Sequence, residues 1–243
     1  MSVLSIALGI GLTTGIFSVA DAILLRPLAI NRPGELLTIS SHADDEMCIR
    51  DRVGAIADLV KAGYVRAIGL SEVGAETIRR AHAIHPIVDL QIEYSLISRG
   101  PEARIFPVLR ELGIGVTAYG VLSRGLLTGS PLAAKADLRA HMPRFVGENL
   151  ARNRKLIDAL NRLAAERGVA PAQLAIAWVL AKDSTIVPVI GARTRRQLDE
   201  SLAALEIHLT AEEIARLEEA IPASEVAGSR YAEMQMRTLD SER

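Results

Sequence analysis

Gly113-Ile114-Gly115-Val116-Thr117-Ala118-Tyr119-Gly120-Val121-Leu122-Ser123-Arg124-Gly125-Leu126-Leu127-Thr128-Gly129 decides the fold. It opens as a short apolar run bounded by glycine, the pattern of a buried strand, and breaks after Tyr119 into a loop carrying serine, arginine and glycine. Upstream, Pro101 to Leu112 reads as a helix with proline in its first turn, closed by Gly113. The same unit recurs outward. Val65 to Ser71 and Val88 to Tyr94 read as strands, with Ala75 to Ile84 a helix between them and Ala55 to Ala62 a helix closed by Gly63. Beyond a loop from Gly120 to Gly147 come helices Asn149 to Arg167 and Pro171 to Ala181, a strand Ile186 to Ile190 and a helix Thr194 to Leu205. Thr210 opens a last helix, with Glu213 placed to complete a capping box.

Strand and helix alternating at this spacing imply parallel strands joined by crossover helices and buried on both faces. A doubly wound sheet would carry GxGxxG after an early strand, and residues 53–243 contain none. Polar and glycine residues instead follow each strand, at Ser71-Glu72, Tyr94-Ser95, Tyr119 to Gly125 and Gly191 to Arg196. Function placed on every strand's carboxyl end is the habit of a TIM barrel. Four strands are half of the eight such a barrel needs.

Charge and composition exclude several classes. The net charge of -1 and pI near 6.5, with both signs interspersed, give no basic face for nucleic acid. One cysteine, Cys48, excludes an internal disulfide framework and a cysteine-rich metal site. Of the histidines only His82 and His85 are close, with no further ligand at suitable spacing, so no metal is expected.

The hydrophobic fraction of 49% averages two unlike parts. Val3 to Leu25 is almost unbroken apolar sequence with Asp21 its one charge, long enough for a tilted transmembrane helix ended by Arg26-Pro27. It lacks the basic start of a signal peptide. Gly11 and Gly15 read as a helix-packing face. The stretch Leu4 to Gly11, with Ile16 to Val19 and Leu24 to Leu28, resembles the first membrane segment of FtsX-like and MacB-like permease subunits of ABC transporters. Ser40 to Arg52 is polar and without period, and Met47-Cys48-Ile49-Arg50-Asp51-Arg52 is similar to a translated sequencing-adapter string. The expected organisation is a permease-like membrane-helix fragment at 1–40, a linker or artefactual chimera junction at 41–52, and an α/β body at 53–243. Membrane contact would run through residues 3–25, with the body cytoplasmic.

The body's motifs fall in register with one family. Gly69-Leu70-Ser71-Glu72, Leu90-Gln91-Ile92-Glu93-Tyr94-Ser95-Leu96, Gly113 to Gly129 and Val187-Pro188-Val189-Ile190-Gly191-Ala192-Arg193 resemble the fifth to eighth strands of aldo-keto reductases. The resemblance covers Val53 to the end, including Pro171-Ala172-Gln173-Leu174-Ala175. It implies the C-terminal half, strands 5–8, of a TIM (β/α)8 barrel, and an oxidoreductase that reduces carbonyls to alcohols by hydride transfer from NADPH.

The same resemblance assigns residues. Ser71 and Gln91 would hold the nicotinamide carboxamide, and the Tyr119 ring would stack on the nicotinamide. Leu122, Ser123, Arg124 and Gly125 match the loop over the pyrophosphate. Gly191, Arg193, Thr194 and Gln197 lie where the adenosine 2'-phosphate and adenine end are held, which favours NADP over NAD, and Glu200 and Ser201 would approach the adenine. Family members carry asparagine at the position of Glu72 and Ser-Pro at Gly120-Val121. The family's proton-donating tyrosine, its lysine and aspartate partners and its orienting histidine come from the first four strands. No residue here matches them, so the chain is expected to be truncated and inactive as it stands. The alternatives are a non-catalytic cofactor-binding half-barrel or a permease fragment, and open strand edges imply self-association.

Overall fold

The computed structural model describes residues 46–128 and 137–242. The permease-like segment, the expected membrane helix at Val3 to Leu25 and the start of the expected junction lie outside the described residues. Among the described residues no helix is long and apolar enough to cross a membrane. The described residues divide between two compact units, Leu59–Arg66 in one and residues 46–58 with 67–128 and 137–242 in the other.

Helix α1 (Glu46–Lys61) corrects the sequence reading, which began a helix only at Ala55 and treated residues to Arg52 as a linker. No glycine or proline lies between Glu46 and Arg52, so good helix formers carry the polar turns without an apolar period. Gly63, at φ 79, turns the chain away, its amide donating to the Val60 carbonyl.

Strands β1 (Ile68–Ser71), β2 (Ile87–Glu93), β3 (Gly115–Tyr119) and β4 (Ile186–Pro188) form one parallel sheet in the order β1-β2-β3-β4. The crossovers are α2 (Ala75–Ile84), α3 (Pro101–Leu112), and the pair α4 (Gly147–Arg167) and α5 (Pro171–Lys182). Then follow α6 (Arg195–Leu202), α7 (Ala211–Ala220) and the short α8 (Glu233–Met236). The helix expected over Thr194 to Leu205 tightens into a 3-10 turn from Ala203, and the expected loop at 120–147 contains 3-10 turns at Ser123–Thr128, Leu138–His141 and Pro143–Phe145. Strand β4 stops at Pro188, which has no N–H to extend a ladder.

The sheet has two unlike faces because side chains alternate along each strand. On one, Leu70, Leu90, Val116 and Ile186 stand in register, with Ile92 and Ala118 in the next row. All but Leu70 are buried. Helix α5 buries Leu174 through Val179 without interruption, and Trp178 packs against Tyr94 at 5.3 Å between ring centroids. On the other face, three of the four residues in the row Ser71, Gln91, Thr117, Val187 are polar, and Ser71, Gln91 and Val187 are exposed. Below it lie Gly69, Asp89 and Gly115. Partial burial raises the pKa of the Asp89 carboxyl, with Thr117 hydrogen bonds opposing the shift. Parallel sheets are ordinarily covered on both sides, so the exposure of Ser71, Gln91 and Val187 on this face is the unusual feature among the described residues.

Candidate functional site

The carboxyl ends of the strands gather the polar residues. Ser71 and Gln91 are direct partners across β1 and β2, and Glu93 pairs in register with Tyr119. Glu72, just past β1, is held at φ 53, a left-handed conformation rare for glutamate. Its carboxylate accepts a hydrogen bond from the Glu93 amide at 2.9 Å and from the Tyr119 hydroxyl at 2.8 Å. The Tyr119 oxygen also lies 3.2 Å from that of Tyr231. Burial, then Tyr231 and the Glu72 charge, push the Tyr119 phenol well above its ordinary range.

Arg230 binds these groups together. Its side chain is 6% exposed and grips Glu72 with two nitrogens, at 2.9 and 2.5 Å, while its Nε donates to Glu242 at 2.7 Å. Burial works against this guanidinium's charge, but Glu72, Glu93 and Glu242 more than offset it and raise its pKa. Burial would likewise raise the Glu72 pKa, yet the hydrogen bonds from Arg230 and Ser241 hold it below the ordinary value. Glu93, 2% exposed, accepts from the Ser98 hydroxyl at 2.9 Å. Arg124, Arg230 and Arg144 stand 3.4, 3.6 and 3.7 Å from its oxygens.

The loop after β3 is built from left-handed residues. Gly120 is at φ 67, and a Cβ there would lie 3.0 Å from Glu93 Cγ, so this position demands glycine. Ser123, Arg124 and Gly125 follow at φ 45, 55 and 86. The Ser123 side chain is buried, its hydroxyl 3.3 Å from that of Ser95. Arg124 lies over the Tyr231 ring at 4.7 Å as well as on Glu93. Leu122 and Gly125 are half-buried, and the Gly125 amide donates to the Leu122 carbonyl at 2.9 Å.

The remaining residues stand on α6 or in the turn that leads into it. The Val189 amide donates to the Ala118 carbonyl, which keeps the chain after β4 beside β3. Gly191, Arg193, Thr194 and Gln197 are exposed. Gln197 Oε1 accepts from the Arg193 and Thr194 amides at 2.9 and 3.2 Å, and Thr194 Oγ1 accepts from the Gln197 amide. This is a capping box, so Thr194 and Gln197 hold the helix start whatever else they bind. Glu200 and Ser201 are half-buried one to two turns on, with Ser201 Oγ donating to the Gln197 carbonyl. Arg193, Arg195 and Arg196 surround a helix N-terminus, an arrangement that favours phosphate.

Sequence reasoning missed Glu93, Arg144, Arg230, Tyr231 and Glu242. Glu93 had a signal, a carboxylate between Ile92 and Tyr94 in a buried run. The others had none, since charged residues in a long loop and a tail read as solvated. Among the described residues no group of histidine, cysteine or acidic side chains could hold a metal ion.

A model of the aldo/keto reductase family matches residues 28–222. The chain is 42% identical over 194 residues to probable aldo-keto reductase 1 of Glycine max, a match covering 78% of this chain and 56% of that protein. The solved structure of glycerol dehydrogenase from Gluconobacter oxydans is similar with a TM-score of 0.68 at 28% identity, covering 73% of this chain and 55% of that one. An aldo/keto reductase from Klebsiella pneumoniae, solved with NADP and acetate, has a TM-score of 0.55 at 24% identity, covering 73% and 56%, and speaks for the fold alone. The chain thus spans about half the length of the relatives it matches. The matched span begins inside the stretch assigned above to a permease-like segment and runs through the expected junction, so residues 28–52 fall within the reductase match and not apart from it.

Proposed function

The chain belongs to the aldo/keto reductase family, whose members use a nicotinamide cofactor, and from that premise we propose that it carries the cofactor-binding face of an NADP-dependent carbonyl reductase. The observation that supports this is the row Ser71–Gln91 on the open sheet face, with Tyr119 at the end of the next strand and an arginine-rich helix start following β4. In this reading Ser71 and Gln91 hold the carboxamide, and Tyr119 presents its ring to the nicotinamide while Glu72 anchors its hydroxyl. Leu122 to Gly125 supply the pyrophosphate loop. Arg193 and Thr194 receive the 2'-phosphate, with Gly191, Gln197, Glu200 and Ser201 toward the adenine end. The cofactor supplies hydride when bound.

No residue of this chain is assigned a proton-donating role. Tyr119 is unsuited to it, because a phenol whose pKa lies above the ordinary ~10 is a poor acid at neutral pH. We therefore propose cofactor binding without carbonyl turnover for the chain alone, and a half-barrel whose open inner face invites self-association. The permease reading of residues 1–40 has no support among the described residues.

Titration of NADPH and NADH by cofactor fluorescence tests the assignment. Arg193→Ala should weaken NADPH by about tenfold, the order of one charge-assisted contact, and leave NADH nearly unchanged. Equal loss for both, or no binding by the unsubstituted chain, would overturn it.

A further inference from the structure

The Tyr119 hydroxyl has no hydrogen-bonding capacity left. Its one hydrogen goes to Glu72 at 2.8 Å, so its oxygen accepts from Arg230 Nη1 and from the Tyr231 hydroxyl, each at 3.2 Å. A phenol held by three partners keeps its ring axis in one direction, because any swing about Cβ carries the oxygen away from all of them. Two of the three partners are consecutive residues of the carboxyl-terminal segment. We infer that Tyr231 is a positioning residue of the cofactor site, fixing the Tyr119 ring through its hydroxyl and the loop of Leu122 to Gly125 through its own ring. The inference rests on the cofactor reading proposed above and brings into that site a segment to which the reading gives no part.

The second contact is independent of the first. The guanidiniums of Arg124 and Arg230 lie 4.7 and 5.4 Å from the centroid of the Tyr231 ring, within the range of cation–π attraction. Arg124 belongs to the left-handed run Ser123, Arg124, Gly125, and two side-chain-bearing residues in that conformation cost backbone energy that contacts elsewhere must offset. Those contacts are few. The Arg124 side chain meets Glu93 at 3.4 Å and the Tyr231 ring, and its carbonyl accepts from Arg139 Nη1 at 3.1 Å. Tyr231 is itself well placed to hold others still, since the Ser229 hydroxyl donates to its carbonyl at 2.6 Å and Gly228 is pressed against Pro143. The tail's ion pairs belong to Arg230, so the Tyr231 hydroxyl can be removed without releasing the tail.

Calorimetric titration of the full chain tests this with two probes, NADPH and 2'-phosphoadenosine diphosphoribose, which is the cofactor without its nicotinamide. Tyr231→Phe keeps the ring and should weaken NADPH by about threefold, the worth of one neutral hydrogen bond, while leaving the fragment's affinity unchanged. Tyr231→Ala also withdraws the ring from Arg124 and should weaken both, the fragment by about threefold and NADPH by about tenfold. In both variants the emission of bound NADPH should shift toward that of free cofactor, a signature of nicotinamide placement that a loss of stability alone would not produce. A Tyr231→Phe variant with unaltered NADPH affinity and emission, or one that loses NADPH and the fragment equally, would overturn the inference and leave the cofactor site standing. An unsubstituted chain that binds neither probe would overturn the site and the inference with it.

Discussion

Glu72 occupies a backbone conformation that favours glycine, and the compensation is its bidentate pair with Arg230. The folded pKa of Glu72 is depressed, so the stability it contributes is complete above the ordinary value of 4.5 and is lost as pH falls through the depressed value. Glu72→Gln should therefore destabilise the chain at neutral pH by about 3 kcal/mol, the cost of breaking a buried pair, and flatten the acid limb of its stability curve below pH 4.5. Urea melts across that range check this, and an unchanged acid limb would count against the pair. Only half of it was legible in the sequence. Glu72 stands out as a polar residue at a strand end, whereas Arg230 lies 158 positions away and no local pattern links the two. The same holds for Arg144, which meets Glu93 only once the sheet and the tail have folded.

Elements with a clear period were read closely. Helices α2 and α3 begin and end where apolar spacing, Pro101 and Gly113 place them. Helix α1 was not fully read, because its first turns carry no apolar stripe and only the absence of breakers marks them. Caps divide in an instructive way. Thr210 and Glu213 form the box their spacing announces, at 3.2 and 2.8 Å. Thr194 and Gln197 form another, although the sequence assigned both to a cofactor. Thr210→Ala should cost about 1 kcal/mol of stability and leave NADPH affinity unchanged. Thr194→Ala should cost about the same and also weaken NADPH. Denaturation and fluorescence titration on the two variants separate the roles, and a Thr194→Ala variant with unaltered affinity would reduce Thr194 to a cap.

Across the whole molecule, the segment after α7 does more than its composition suggests. The Asn153 side chain donates to the Ala227 carbonyl and accepts from its amide, both at 2.9 Å. Gly228, at φ 83, passes so close to Pro143 that a Cβ would lie 2.9 Å from that residue's carbonyl. Arg230 then reaches Glu72. Removing residues 226–243 should lower both the urea midpoint and the m-value, since less surface is buried, and equal m-values would show that the segment adds no cooperative structure. The exposed sheet face was not readable strand by strand, because the strand–helix alternation implied burial on both faces and Ser71 and Gln91 were read as cofactor contacts. The order β1-β2-β3-β4 has a further consequence, for the way the chain assembles. Each strand pairs with the one synthesised just before it, so the sheet can grow as the chain emerges, with residues 120–185 the longest span it has to close, whereas the tail's ion pair spans 158 positions and forms last. Until that late closure, Glu93 has Ser98, Arg124 and Arg144 beside it but not Arg230, so the nascent sheet carries a carboxylate whose cover is completed only when residue 230 arrives.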